Sequence, residues 1–166
     1  MPWELLTYLV AFLLQSALLG CCMYQLIQLS DLESDYINPH DATNNVNWVV
    51  LPEYGCQAAL TAVLLLTGHW LYGGLHAVLL AYHVRQFLRR QHLADVTEIF
   101  RQVGPRKQRE MAKLVFYLLT FILAIYKLIE VIVLAFLTPA GRKAAAKVLR
   151  DAAASMHRLM RRRSLL

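Results

Sequence analysis

From Leu5 to Leu29 the chain runs 25 residues without a single charge. As an α-helix that run would extend roughly 37 Å at 1.5 Å per residue, more than the ~30 Å hydrocarbon thickness of a bilayer. Its apolar residues come as a block rather than a stripe, the pattern of a helix that faces lipid. Further apolar segments cover about residues 52–67, 70–88 and 114–137. With 58% hydrophobic residues and a mean hydropathy of +0.42, a 166-residue chain is too apolar for an ordinary soluble domain. It is also too short to carry a membrane bundle and a separate enzyme domain. The expected fold is therefore all-α, a polytopic integral membrane protein. It comprises a four-helix transmembrane bundle over residues 1–140, with two short central helices, and a tail over residues 141–166.

The central pair follows from length. One helix from Pro52 to Leu88 would run roughly 55 Å, far beyond the hydrocarbon core. Thr67-Gly68-His69-Trp70 breaks it with a turn and an interfacial aromatic. Pro52, with Glu53 behind it, predicts a helix start at that point. The last span is expected to stop at the breaker cluster Thr138-Pro139-Ala140-Gly141. Met1-Pro-Trp-Glu4 lacks a positive leader, so the first run reads as a retained span rather than a cleaved signal.

Charge supplies the orientation. Residues 1–84 hold six acidic residues and no Lys or Arg, whereas all 17 basic residues lie from Arg85 onward. Short loops rich in Lys and Arg stay cytosolic, which assigns Arg85–Lys113, with eight of them, to the cytosol. Crossing parity then puts Ser30–Leu51 on the cytosolic side and both termini in the lumen. Eight basic residues of the tail would be lumenal, against the usual tendency. In that tail Ala145, Val148, Leu149, Ala152, Met156, Leu159 and Met160 recur at helical spacing. Lys143, Lys147, Arg150, Arg158, Arg161 and Arg162 fall largely opposite them. Two readings stand open: a basic amphipathic helix lying on membrane lipids, or a disordered solvated tail.

Few residues suggest chemistry. His69, His76 and His83 fall seven apart, on one face if the helix were continuous. Gly68 and Gly73-Gly74 speak against one rigid helix, and no carboxylate joins them, so no metal site is expected. Lys127 and Glu130 read as the opposite charges deep in an apolar segment, an intramembrane polar pair. Spaced i, i+3, they either satisfy each other toward the bundle or meet a partner's membrane helix. Gln15, Gln25 and Gln28 suit interhelical hydrogen bonds. Cys21, Cys22 and Cys56 form no framework and read as free thiols, with acylation of Cys21-Cys22 as the other reading. No nucleophile elbow, HExxH, phosphate loop or dinucleotide fingerprint occurs, and Asp95 with Glu98 makes an ordinary solvated helix face. The chain is not expected to be an enzyme or to need a cofactor. Its basic residues straddle a span, which speaks against nucleic acid as a partner.

Three polar stretches carry a resemblance. Asp31-Leu-Glu-Ser-Asp-Tyr-Ile-Asn-Pro39 follows directly on the first span. Val50-Leu-Pro-Glu53 leads on to Leu66-Thr-Gly-His-Trp70. His92-Leu-Ala-Asp-Val-Thr-Glu-Ile-Phe-Arg-Gln-Val103 comes next. In order and spacing, over roughly residues 1–137, they resemble the cornichon family. The resemblance implies a cargo receptor whose helices grip client transmembrane proteins while a cytosolic segment engages the coat of vesicles running from the endoplasmic reticulum (ER) to the Golgi. On that basis the coat-binding residues are Ile99, Phe100, Arg101, Gln102 and Val103. The cargo-binding residues are Leu64, Leu65, Leu66, Thr67 and Gly68. Animal relatives that act as auxiliary subunits of channels make the alternative an auxiliary subunit of a channel or transporter. Ile99 and Phe100 are expected to be exposed; Val96, Ile99, Phe100 and Val103 also match an amphipathic helix on the bilayer surface. The basic tail departs from the family, whose members end soon after the last span.

Overall fold

The computed structural model describes residues 2–137 and 139–163, except the side chains of Pro2, Ala140, Ala144, Ala145, Val148 and 157–163. Five helices follow in order: α1 (Pro2–Glu33), α2 (Pro39–Leu66), α3 (Trp70–Leu88), α4 (Ile99–Leu137) and α5 (Pro139–Arg163). Among them α1, α2 and α4 are long and apolar enough to cross a membrane. At 19 residues α3 is roughly 28 Å long, close to the hydrocarbon thickness. The all-α polytopic membrane fold is the one expected.

Two helix starts lie well ahead of their expected positions. α2 begins at Pro39, where Asn38 is the N-cap and accepts the His40 N–H at 3.0 Å. Pro52 therefore lies mid-helix and marks no start. The cap is legible as Asn-Pro, but the next 13 residues are too polar for lipid and carry no membrane-helix pattern. Likewise α4 begins at Ile99, so the second half of the segment Arg85–Lys113 is helix rather than loop, with Pro105 inside it. Thr138 of the expected stop lies outside the described residues, but Pro139 opens a new helix.

α1 packs between α2 and α4, while α3 lies on α2 and reaches α4 through Tyr72. Neighbours are antiparallel. Glu33, ending α1, meets Lys107 near the start of α4, whereas Tyr8 near its beginning meets His69 at the α2–α3 turn. That turn needs Gly68, whose φ of +83° is open to glycine and strained for other residues. The bundle core is small: Ala11, Leu18, Cys22, Leu60, Leu64 and Tyr117. Large apolar side chains such as Leu13, Leu119, Ile122 and Val133 point outward, as lipid-facing residues do.

Candidate functional site

The densest chemistry in the bundle surrounds Glu53. Its carboxylate is fully buried, and all four bundle helices reach it. From α4, Lys113 Nζ donates at 2.7 Å to Oε1 and the Tyr117 hydroxyl donates at 3.3 Å to the same oxygen. From α1, Gln25 Nε2 donates at 2.7 Å to Oε2. His83 of α3 brings Nε2 to 3.7 Å and stacks on Tyr54 with ring centroids 4.4 Å apart. Lys113 also pairs with buried Glu110 at 2.8 Å, and the Cys22 thiol donates to the Glu110 carbonyl oxygen. A buried carboxylate is tolerable only when paired and hydrogen-bonded, and a pairing shared by four helices fixes their mutual register. A second polar layer lies nearer the α2–α3 turn. Gln15 donates to Thr120 Oγ1 at 2.6 Å and to the Tyr117 carbonyl, and Gln57 donates to the His76 carbonyl at 2.9 Å. Gln15 and Gln25 make the interhelical bonds expected of them, and Gln28 accepts from Asn45.

The sequence reading missed this site. Sequence pattern alone places Glu53 in a first helical turn and Lys113 at the end of a loop, whereas both lie well inside helices. One signal was present: Glu53 is the sole acidic residue between Asp41 and Asp95, in the middle of an apolar stretch. Lys127 and Glu130 do not join this buried cluster. They do pair, at 2.7 Å, but on the outer surface of α4, with side chains 47% and 40% exposed. His76 and His83 share α3 and are both buried. His69 precedes that helix, beside Thr67 and the ring of Tyr8. Cys21, Cys22 and Cys56 are free thiols.

At the end of the bundle formed by the α1–α2 and α3–α4 connections, Leu32, Ala42, Ala94, Ile99 and Val103 form a second apolar cluster. Asn47 holds the α3–α4 connection there through both atoms of the Ala94 peptide: its Nδ2 donates to the carbonyl at 3.0 Å and its Oδ1 accepts the N–H at 2.7 Å. Asp95 accepts the backbone N–H and the hydroxyl of Thr97, and these bonds hold its carboxyl below the usual aspartate range. The turn they stabilise is thus favoured above the ordinary aspartate pKa and weakened as pH falls through the lowered one. Of the proposed coat segment, Ile99 and Val103 are buried, contrary to the expected exposure of Ile99. Phe100 is 62% exposed, Arg101 is exposed and bonded to Glu98 at 2.7 Å, and Gln102 is partly covered. The stripe Val96, Ile99, Phe100, Val103 does not form one outward face; it is split, because α4 turns Ile99 and Val103 toward α1 and α2. At the opposite end, Leu64 is in the bundle core and Leu65 packs against Gly73, whereas Leu66, at 87%, Thr67 and Gly68 are exposed.

The Cornichon protein family matches residues 5–126 of the chain. Protein cornichon homolog 2 of Oryza sativa subsp. japonica is 47% identical over 137 residues, 82% of this chain and 92% of the rice protein. Protein cornichon homolog 3 of Arabidopsis thaliana is 44% identical, over 76% of this chain and 92% of its own length. The ER-derived vesicles protein erv14 of Schizosaccharomyces pombe is 39% identical, over 72% of this chain and 87% of the yeast protein. The match takes in α1, α2, α3 and most of α4, including every residue of the Glu53 cluster, and on it the chain belongs to the cornichon family.

Proposed function

We propose that the chain is a non-enzymatic receptor of the ER membrane that selects client membrane proteins for vesicle transport to the Golgi and cycles between the two. The observation that carries this reading is the likeness to two fungal proteins named for ER-derived vesicles. One is erv14 of fission yeast; the other is ERV15 of Saccharomyces cerevisiae, 38% identical over 66% of this chain. The distribution of exposed residues supports a division of labour. The rim Leu66, Thr67, Gly68 at the α2–α3 turn is the cargo-binding end, with Leu64 and Leu65 holding it in place from inside. Phe100 and Arg101 at the other end are the coat contact, with Ile99, Gln102 and Val103 as their base. In this reading Lys127 and Glu130 are an outward-facing feature of the membrane surface rather than part of the bundle interior.

The test follows the burial. Replacing Ile99 would remove a core side chain, at about 2–5 kcal/mol, and confuse loss of contact with loss of fold. The double variant F100A/R101A touches only exposed groups. It should insert, keep its thermal stability and still co-purify with clients, yet fall several-fold in budded vesicles and in coat pull-downs. Undiminished entry into vesicles would show that the segment is not the coat contact. Exclusive cell-surface residence, with client export unaffected by deletion, would instead favour the auxiliary-subunit reading.

A further inference from the structure

A groove of about 530 Å³ opens on the membrane-facing surface between Tyr8 of α1, the α2–α3 turn, α3 and α4. Its walls are apolar, chiefly Leu71, Tyr72, Leu75 and Leu123, and the volume is that of a typical small-ligand pocket. Trp3, Trp70 and Tyr126, each more than 60% exposed, surround this end of the bundle, the placement of side chains at the headgroup level of a bilayer. Lys127 stands on the groove's rim. Its Nζ pairs with Glu130 at 2.7 Å and sits 5.8 Å from the centre of the Tyr126 ring.

An open ion pair on a helix surface that otherwise faces lipid is costly, and apart from the polar edges of Tyr8, His69, Trp70, Tyr72 and Tyr126 the groove beside it is hydrocarbon. The occupant that would cover it has three parts: an anion for Lys127, a cation able to donate hydrogen bonds to the Glu130 carboxylate, and a hydrocarbon tail for the groove. Charges three residues apart on a helix have Cβ atoms ~5–6 Å apart, a separation on the scale of a phospholipid headgroup. We infer that the groove is a binding site for one zwitterionic phospholipid with a primary ammonium, a phosphatidylethanolamine. Its phosphate sits on Lys127, its ammonium on Glu130 and one acyl chain along Leu71, Leu75 and Leu123. A choline headgroup has the same charges but no N–H to give Glu130, and a glycerol headgroup has no cation at all; the pairing therefore discriminates among the three.

The test uses the intact protein without any client, so it is independent of the export reading. The chain is reconstituted in nanodiscs containing equal parts of phosphatidylethanolamine, phosphatidylcholine and phosphatidylglycerol, then released into native mass spectrometry. The parent should carry one phosphatidylethanolamine in preference to the others. K127Q should weaken retention of lipid about tenfold, the worth of one charge-assisted hydrogen bond. E130Q should keep the lipid but lose the preference for ethanolamine over choline. Both positions are exposed, so neither variant threatens the fold, and unchanged melting confirms that. Bound lipid that mirrors the bulk mixture in parent and variants alike, or a preference for phosphatidylglycerol, overturns the assignment. So does lipid retention in K127Q equal to that of the parent, which would mean that Lys127 holds no headgroup.

Discussion

Lys113 is held between two carboxylates, and the asymmetry decides what each mutation costs. Removing the amine, as in K113M, leaves Glu53 and Glu110 buried, close together and without the cation they share. Breaking a buried pair in that way costs about 3–5 kcal/mol. E53Q is milder, because Lys113 retains Glu110 and the new amide still accepts one hydrogen bond; about 1–3 kcal/mol is expected. The double variant E53Q/K113M should be more stable than K113M alone, since it removes one of the two stranded charges. Thermal unfolding of the purified proteins in a single detergent checks the order parent, E53Q, double variant, K113M. If K113M melts with the parent, the cluster does not hold the bundle. At this scale the sequence was legible only in part. Single glutamines in apolar runs announce hydrogen bonds, because an unsatisfied amide in hydrocarbon is expensive. Which charges face inward cannot be read from hydropathy: Glu110–Lys113 and Lys127–Glu130 have the same spacing, yet α4 buries the first pair and exposes the second.

Among the elements, the α2–α3 hairpin makes a prediction from two adjacent glycines that look alike in the sequence. A Cβ at Gly73 would lie 2.7 Å from Leu65 Cδ2 and 3.3 Å from the Leu65 nitrogen, whereas one at Gly74 would meet nothing within 4 Å. G73A therefore forces Leu65 to turn or α3 to back away, and should destabilise by about 1–3 kcal/mol. G74A should be neutral or gain up to about 1 kcal/mol, because alanine is the better helix former. Equal melting points for the two variants would mean that the helices are not as closely packed as the structure has them. Because Leu65 lies behind the exposed Leu66-Thr67-Gly68 rim, G73A should also weaken client co-purification more than G74A does. The hairpin itself was legible, since a helix through residues 52–88 is too long for a bilayer and Gly68 interrupts it. The starts of α2 and α4 were not, because the first turns of both helices are held by tertiary packing around Leu32 of α1. The cluster Leu32, Ala42, Ile99, Val103 links positions up to 71 residues apart, and no local pattern reveals such a contact.

For the molecule as a whole, the antiparallel order of the helices ties together the sides of the membrane that its ends occupy. The α1–α2 connection and the Arg85–Ile99 segment lie at one end; the start of α1, the α2–α3 turn and the beginning of α5 lie at the other. The excess of Lys and Arg between Arg85 and Lys113 predicts that the first end is cytosolic. Because α4 is one unbroken helix from Ile99 to Leu137, α5 must then begin in the lumen, carrying Arg142, Lys143, Lys147 and Arg150 with it. The positive-inside tendency alone would put that basic helix in the cytosol. We expect the covalent constraint to win, since a 39-residue helix cannot return its end to the side on which it began. The chain has no Asn-x-Ser/Thr of its own, so an introduced acceptor reports without background. An acceptor appended beyond Leu166 should receive a glycan in microsomes, and one placed in the Arg89–Asp95 loop should not. A glycan in the loop would invert the topology; an unmodified tail, with the same acceptor competent when placed ahead of Trp3, would mean that the last helix does not cross.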